Sequence, residues 1–496
     1  MRRTLMLIGM AVFTALALYS ARPAMTQQPQ TLEYNGPKSP APAATPIVQG
    51  TPLPINLPTA LKLVNARSLD VAVASQRIAL ANAQLDRARV AWLPNITMGT
   101  DYQRHGGQIQ DVGGRIFSTA KSSLYTGVGV NAILTPVDAI YGPLAARQIV
   151  QARVADLDTA TNNSVLAVAE AYFNVQQARG DLIGADEAVR HAEELVRRTE
   201  KLAAGLVPPV EAVRARTELA RRKQAAHAAL ERWRVASADL VRILRLDPST
   251  VVDPAEPPHL RIALLSTDSA IDNLIPIGLL NRPELASQQA LVEATLARLK
   301  QERIRPLVPS VVLRGPGTAA PGSFTAGSFG GGNRAVDNFA ARTDIELQVI
   351  WEFQGLLLGN RARVKERQAE NQIALLEHFR LQDRIAGEIV QAHAQARSAA
   401  DRLVEAEAGL KDAVDSVDKN FQGLSQTRRA GDLIILLVRP QEVIAAVQTL
   451  SQAYSDYYGA IADHNRAQFR LYRALGYPAQ FVTTQPSACL LPPVER

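Results

Sequence analysis

Residues 343–354 read TDIELQVIWEFQ, and the fold turns on this stretch. Ile345, Leu347, Val349, Trp351 and Phe353 alternate with Asp344, Glu346, Gln348 and Glu352. A period of two marks a strand with one apolar and one polar face. Thr343 to Phe353 spans eleven residues, the length of a tilted strand that crosses a bilayer. A half-buried strand of a soluble sandwich has the same pattern, so the rest of the chain must decide.

The rest of the chain is helical in pattern. Val168, Val175, Leu182, Val189 and Val196 recur every seven residues, and Ala171, Ala178, Ala185 and Ala192 each lie three further on. Leu403, Leu410, Val417 and Leu424 form a second such seam, with Val414 and Phe421 beside it. These are coiled-coil seams with small residues that allow close approach. A helix of about 60 residues is near 90 Å long and must lie against other rods. The composition agrees: 47% hydrophobic but only 5% aromatic residues argue for thin helical layers rather than a thick core.

The order of features repeats. Asn281–Leu285 (NRPEL) answers to Asn65–Leu69 (NARSL), and LVPSVVL answers to LPNITM. The chain divides into residues 1–24, a signal-like segment; 25–56, a Pro-rich leader; 57–248, a first repeat; 249–273, a connector; 274–478, a second repeat; and 479–496, a tail. Strands are predicted at about 95–102 and 124–134, separated by a Gly-rich loop from about Arg104 to Ser122. The second pair falls at about 310–314 and 343–353, with a loop over roughly Gly315–Ala341 that includes FGGG (329–332). Tight breaks at 204–209 (AGLVPP) and 430–433 (AGDL) separate the long helices, the second of which runs from about Leu358 to Arg429, from shorter ones. The fold class is therefore mainly α with a small β part, built on a duplicated helical hairpin.

The N-terminus has Arg2 and Arg3 and then an apolar run from Leu5 to about Tyr19, a signal-peptide shape too short to span a bilayer. An uncleaved inner-membrane anchor is the competing reading, because Arg22 stands where a small residue is wanted before a cut after Ala24. The longest later apolar run, LIILLV at 433–438, has six residues, so any membrane attachment of the body must come from strands. Four amphipathic strands in one chain leave two open edges, which a bilayer does not tolerate. Several copies must close a barrel together; two copies make eight strands and three make twelve, and geometry alone does not choose. In such a barrel Asp344, Glu346, Gln348 and Glu352 line a wet lumen. Ile345, Leu347, Val349, Trp351 and Phe353 meet lipid, with Trp351 and Phe353 suited to the interface.

These features resemble the TolC family of outer-membrane efflux proteins, from about Leu57 to Pro478. The resemblance rests on the duplicated order, on NRPEL, on LPN and VPS before strands, on AGLVPPVEAVRARTELA (204–220), and on the run from AGDLIILLVRPQEV to RALGYP (430–478). It implies a homotrimer whose strands form a twelve-stranded transmembrane β-barrel, continued across the periplasm by an α-helical barrel. It further implies a passive exit duct in the outer membrane, served by a periplasmic adaptor and an inner-membrane pump in efflux or type I secretion. By the same resemblance Gly205, Leu206, Gly431 and Leu433 are adaptor-contact residues at the hairpin tips. The family's acidic ring after the second tip is missing here, since LIILLVRP carries no carboxylate before Glu442. Arg428, Arg429 and Asp432 are the aperture candidates instead. The competing class is a periplasmic coiled-coil scaffold or adaptor without a transmembrane barrel; an adaptor has one hairpin, and this chain has two.

No catalytic, metal or cofactor site is expected, and no enzyme. Histidines 105, 191, 227, 259, 378, 393 and 464 form no metal-spaced pair, and Cys489 is the only cysteine. His191 near Glu194 reads as a surface contact. The formal charge of +7, three units of which come from Arg2, Arg3 and Arg22, gives no basic stripe for a nucleic-acid partner.

Overall fold

Two runs of elements follow one another in the same order and with nearly the same lengths. After a short strand β1 (Leu53–Ile55) come helices α1 (Leu57–Arg67, 11 residues) and α2 (Leu69–Arg89, 21 residues). Strands β2 (Asn95–Gln110) and β3 (Ile116–Leu134) lead to α3 (Pro136–Leu202, 67 residues) and α4 (Pro209–Leu244, 36 residues). Strand β4 (Val252–Pro254) opens the second run. It continues with α5 (Ile271–Asn281, 11 residues) and α6 (Pro283–Ile304, 22 residues). Strands β5 (Ser310–Arg314), β6 (Ala326–Asn333), β7 (Ala340–Thr343) and β8 (Glu346–Ile350) precede α7 (Leu358–Leu424, 67 residues). Strands β9 (Thr427–Ala430) and β10 (Leu433–Leu436) and helix α8 (Pro440–Ala474, 35 residues) complete it. The structure, a computed structural model, describes residues 52–203, 206–314, 326–343, 345–430 and 433–477. The signal-like segment, most of the leader, the tail with Cys489, and positions Gly205, Asp344, Gly431 and Asp432 lie outside them.

The seven-residue seams are the core. Val168, Val175, Leu182, Ala171, Ala178 and Ala192 are buried on α3, as are Leu403, Val417, Phe421 and Leu424 on α7. Val414 departs from its seam and is 38% exposed, because it sits toward the flank of α7 that no described element covers. A 67-residue helix is roughly 100 Å long. Each is flanked twice along that length. Near the strands α2 and α6 pack on α3, and α6 on α7; beyond them α4 and α8 pack on α3, and α8 on α7. The result is a layer with α4 and α7 on its margins in the half away from the strands.

The helix ends follow local chemistry. Ser68 caps α2 by accepting from the Val71 N–H, with Asp70 in the first turn and Arg87 and Arg89 in the last. Proline opens α3, α4, α6 and α8, where a missing N–H costs nothing. Gly476, with φ of 73°, closes α8 in the left-handed region; a Cβ there would stand 2.8 Å from the Arg282 nitrogen.

The connector is tied down by buried polar side chains. Asn465 on α8 accepts from the Ile262 N–H at 2.9 Å and donates to the Leu260 carbonyl at 2.8 Å. Gln468 accepts from the N–H groups of Leu264 and Leu265 at 3.1 and 3.0 Å. β1 and β4 pair in parallel beside α3 and α4, where Tyr172 donates to the Ile55 carbonyl and to Glu256, and Trp233 donates to the Val252 carbonyl. These bonds satisfy irregular backbone that packing would otherwise leave unpaired.

Candidate functional site: the sheet and the hairpin tips

The strands form one antiparallel sheet of four courses. β2 pairs with β3 without interruption from Asn95↔Asn131 to Gln110↔Ile116. Along the other side of β3, β5 pairs with 131–134 and β6 with 121–128, so these two strands are successive parts of one course. β7 pairs with β6 and β8 with β5, forming the fourth course. The outer sides of β2 and of the β7/β8 course have no partner among the described residues.

Two predicted loops and one predicted strand are corrected by this pairing. The stretch from Arg104 to Ser122 is mostly strand, with a turn only at Asp111–Arg115, where Gly114 has φ of 84° and Asp111 accepts from the Arg115 N–H at 2.9 Å. FGGG (329–332) lies within β6, opposite Ser122–Tyr125 of β3, not in a loop. Its glycines serve contact rather than freedom. A Cβ on Gly331 would stand 2.6 Å from the Ser122 carbonyl oxygen, and the Phe339 ring lies over Gly330. The 343–353 stretch is likewise not one strand. Pairing ends at Ser310↔Ile350 because β5 begins there, so Trp351 and Phe353 lie beyond the sheet. Left-handed backbone at Gly355, Leu356 and Leu357 then turns the chain into α7.

The register carries the two-faced pattern across all four courses. Ile96, Met98 and Tyr102 of β2, Leu124 and Val128 of β3, Val311 and Leu313 of β5, and Leu347 and Val349 of β8 share one face. That face is open: Ile96 is 67%, Met98 77% and Leu347 65% exposed. The other face carries Thr97, Asp101, Gln103, His105, Lys121, Ser123, Glu346 and Gln348, the last donating to Glu346. Ile345, Trp351, Phe353 and Glu352 are all exposed. Trp92 and Leu93 before β2, Leu307 before β5, and Leu356 after β8 are also exposed at the sheet–helix junctions. Sequence reading missed Trp92 and Leu307, since neither lies in a periodic run. Among the described residues no helix is long and apolar enough to cross a membrane.

The two tips differ. At the first, Leu206 and Val207 donate to the Leu202 carbonyl at 2.8 and 3.1 Å, Leu206 is 44% exposed, and α4 starts at Pro209. At the second, α7 stops at Leu424, not at Arg429. β9 and β10 form a ribbon in which Arg428 pairs with Ile435, Arg429 with Ile434, and Ala430 with Leu433. The β-branched run in LIILLV favours extended backbone over another helical turn. Arg428 is exposed. Asp432, predicted beside it, lies outside the described residues, as do Gly205 and Gly431.

Above the tips the two hairpins grip each other through contacts that no motif marked. Arg198 of α3 donates to the Phe421 carbonyl of α7 at 3.0 Å and lies over that ring at 5.2 Å. His191 stacks on the same ring at 5.7 Å. Its nearest carboxylate is Glu187 at 3.4 Å; Glu194, assigned to it from sequence, is instead held by Arg197 and Arg198. On the next pair, Glu218 of α4, 3% exposed, accepts from Arg222 at 2.7 Å and from Gln448 of α8 at 3.0 Å. Further up α3, Gly184 and Gly180 receive the rings of Tyr454 and Tyr458; a Cβ at either glycine would fall 2.5 Å from ring or side-chain carbon. Only the tertiary pairing reveals these contacts.

Burial pushes the His191 imidazole below its usual range, with Arg190 adding to the shift and Asp418 opposing it; burial does the same to His464, opposed by the Ile262 backbone and reinforced by Arg261. Below a pH of about 6.5 the unfolded chain takes up protons at these sites that the folded chain refuses. Stability is therefore full above that value and falls as the pH drops toward the lower folded pKa values. Denaturation midpoints at pH 7.5 and 5.5 are expected to differ in that sense, and the difference should shrink in His191→Gln/His464→Gln.

The NRPEL and RALGYP segments meet. Arg282, 2% exposed in its side chain, donates to both Glu284 oxygens at 3.0 Å and to Glu388 of α7 at 2.9 Å. Arg473 of α8 closes the square on the same two carboxylates at 3.0 and 2.9 Å. Arg282 also donates to the Ala474 carbonyl at 3.3 Å. The motif is a structural joint of α5, α6, α7 and α8. Among the described residues no group of His, Cys, Asp or Glu is placed to hold a metal ion.

With this geometry in hand, comparison gives a consistent result. Residues 60–244 match the family described as outer membrane efflux protein. No curated protein matches in sequence. Solved structures match nearly throughout. The CmeC outer membrane channel of Campylobacter jejuni has a TM-score of 0.66 at 16% identity, covering 85% of this chain and 85% of that one. The outer membrane protein VceC of Vibrio cholerae has 0.64 at 14%, covering 85% and 96%. The MtrE outer membrane channel of Neisseria gonorrhoeae, in its open state, has 0.63 at 16%, covering 85% and 89%. The family match thus falls on the first repeat, and the described residues share the fold of these outer-membrane channels. The resemblance to the TolC family is borne out.

Proposed function

We propose that this chain is the subunit of an outer-membrane exit channel, a homotrimer whose sheets join into a twelve-stranded barrel. The observation that carries the reading is the open sheet itself. It has four courses, two edges without a partner among the described residues and one mainly apolar face, set on helices roughly 100 Å long. Lipid covers that face, neighbouring copies pair the edges, and the polar face with Glu346 and Gln348 lines the lumen. Trp92, Trp351 and Phe353 mark the interface where the barrel meets the periplasmic helices. A soluble scaffold has no use for such a sheet. Membrane fractionation, a heat-modifiability gel and single-channel recording test the reading together. A heat-sensitive trimer in the outer-membrane fraction that conducts ions is expected; a soluble periplasmic monomer overturns it.

The tips are the proposed docking points for a periplasmic adaptor, through Gly205, Leu206, Gly431 and Leu433, and through it for an inner-membrane pump. Arg428, Arg429 and Asp432 are the proposed ion-pair gate at the aperture, repeated by three-fold symmetry. Combining Asp432→Ala with Arg428→Ala and Arg429→Ala should raise the closed-state conductance severalfold. An unchanged closed state removes the gate.

A further inference from the structure

The internal repeat makes one prediction about a seam that a single chain does not contain. Buried residues of α3 and α7 correspond at one constant offset: Val168 with Ile389, Ala171 with Ala392, Ala178 with Ala399, Leu182 with Leu403, and Ala192 with Ala413. Those of α4 and α8 do likewise: Ala215 with Ala446, Ala229 with Ala460, and Leu240 with Leu471. An inverted ion pair checks both offsets independently. Asp181 of α3 faces Arg232 of α4 at 3.9 Å, and at the corresponding positions Arg402 of α7 faces Asp463 of α8 at 3.2 Å. The charges have exchanged helices while the contact has stayed.

Within one chain α3 has a second neighbour, α8. The contacts of that inner seam include Gly184 with Tyr454, Gly180 with Tyr458, Gln177 with Arg466 at 3.1 Å, and Phe173 with Phe469 at 5.7 Å, besides the ion pair of Glu170 with Arg470. The counterparts of the α3 residues in the first four contacts are Glu405, Asp401, Ser398 and Ala394 on α7, and all four are exposed. The counterparts of the α8 residues in those contacts are Lys223, His227, Val235 and Ala238 on α4, again all exposed. Both margins are grooved at these places. One hollow of about 460 Å³ runs along α4 past His227, Val235 and Ala238, and another of about 410 Å³ lies at Ala394, Ser398 and Arg402.

Resting on the homotrimer reading above, we propose that α7 of one copy meets α4 of the next in the register that α3 and α8 use inside the chain. In the seam between copies the tyrosine-on-glycine contacts are replaced by Lys223 against Glu405 and His227 against Asp401. At these two positions the replacement is complementary: Glu405 and Asp401 stand on one margin, Lys223 and His227 on the other. Lys223 is already steadied by Glu193 of α3 at 3.0 Å, with 52% of its side chain still exposed. A head-to-tail interface of this kind closes a ring. At these two levels the seams of that ring then differ in chemistry, tyrosine rings on glycine in one and charge pairs in the other, and salt weakens the charge pairs.

The test uses the full-length chain carrying Cys489→Ala. Val235→Cys with Ser398→Cys, oxidised in the outer-membrane fraction, should yield covalent dimers and trimers. Val235→Cys with Glu405→Cys, displaced by two helical turns or about 10 Å, should not. Cross-linking by the displaced pair, or by neither pair in a chain that still runs as a trimer, overturns the register and leaves the trimer standing. A chain that is monomeric in the membrane overturns both. Glu405→Lys should lower the temperature at which the trimer band dissociates by several degrees, and adding Lys223→Glu should restore it. Absence of that rescue overturns the ion pair.

Discussion

Met98→Arg combined with Leu347→Arg is expected to abolish the proposed outer-membrane trimer. Both residues lie on the open apolar face, on different strands, and are 77% and 65% exposed in the isolated chain. An arginine on the lipid face of a barrel costs about 2–4 kcal/mol near the bilayer midplane. Two of them therefore remove roughly 4–8 kcal/mol from assembly if they act independently. Gln103→Arg with Gln348→Arg places the same charges on the opposite face of the same strands, and should leave trimer and fractionation intact. The gel that separates heated from unheated samples reads both variants. Equal behaviour of the two pairs contradicts the assignment of faces.

The second large effect is expected at Arg282. Its guanidinium is buried and donates to two carboxylates and a helix-terminal carbonyl. In Arg282→Ala, Glu284 and Glu388 keep only Arg473, and the Ala474 carbonyl loses its donor. Removing one member of a buried charge network typically costs about 3–5 kcal/mol, because the remaining charges stay desolvated. Chemical denaturation followed by helical circular dichroism should show a loss of that order. Arg282→Lys, which keeps the charge but not the two-pronged geometry, should fall between. A loss under about 1 kcal/mol in the alanine variant means that Arg473 alone holds the joint.

The two predictions bracket what was legible in the residues. The apolar row of 343–353 was readable because a period of two survives any detail of pairing. The heptad seams were readable for the same reason: valine and alanine every seven residues have one use on a long helix. NRPEL could be noticed but not interpreted. Its arginine works through Glu388 and Arg473, which lie far along the chain and come close only when α7 and α8 pack. Phe421 was legible as a seam residue, but its grip on His191 and Arg198 was not, since a stacked ring and a carbonyl contact leave no spacing in sequence. The glycines misled most. FGGG looked like a loop because glycine is permissive, whereas here its missing side chain lets β6 approach β3 and lets Phe339 cover the strand.

By itself, the sequence determined the periodicities: long helices with small-residue seams, a doubled order of elements, and strands with unlike faces. These are local properties, set by which side chains recur on one side of an element. Only the tertiary structure decided which of those faces stay uncovered. It brought the apolar rows of the strand courses onto one face and left α4 and α7 as margins that no described element covers. It also put an arginine from one motif against a helix end from another. Those outcomes depend on register and on contacts between residues hundreds of positions apart, which no local pattern encodes.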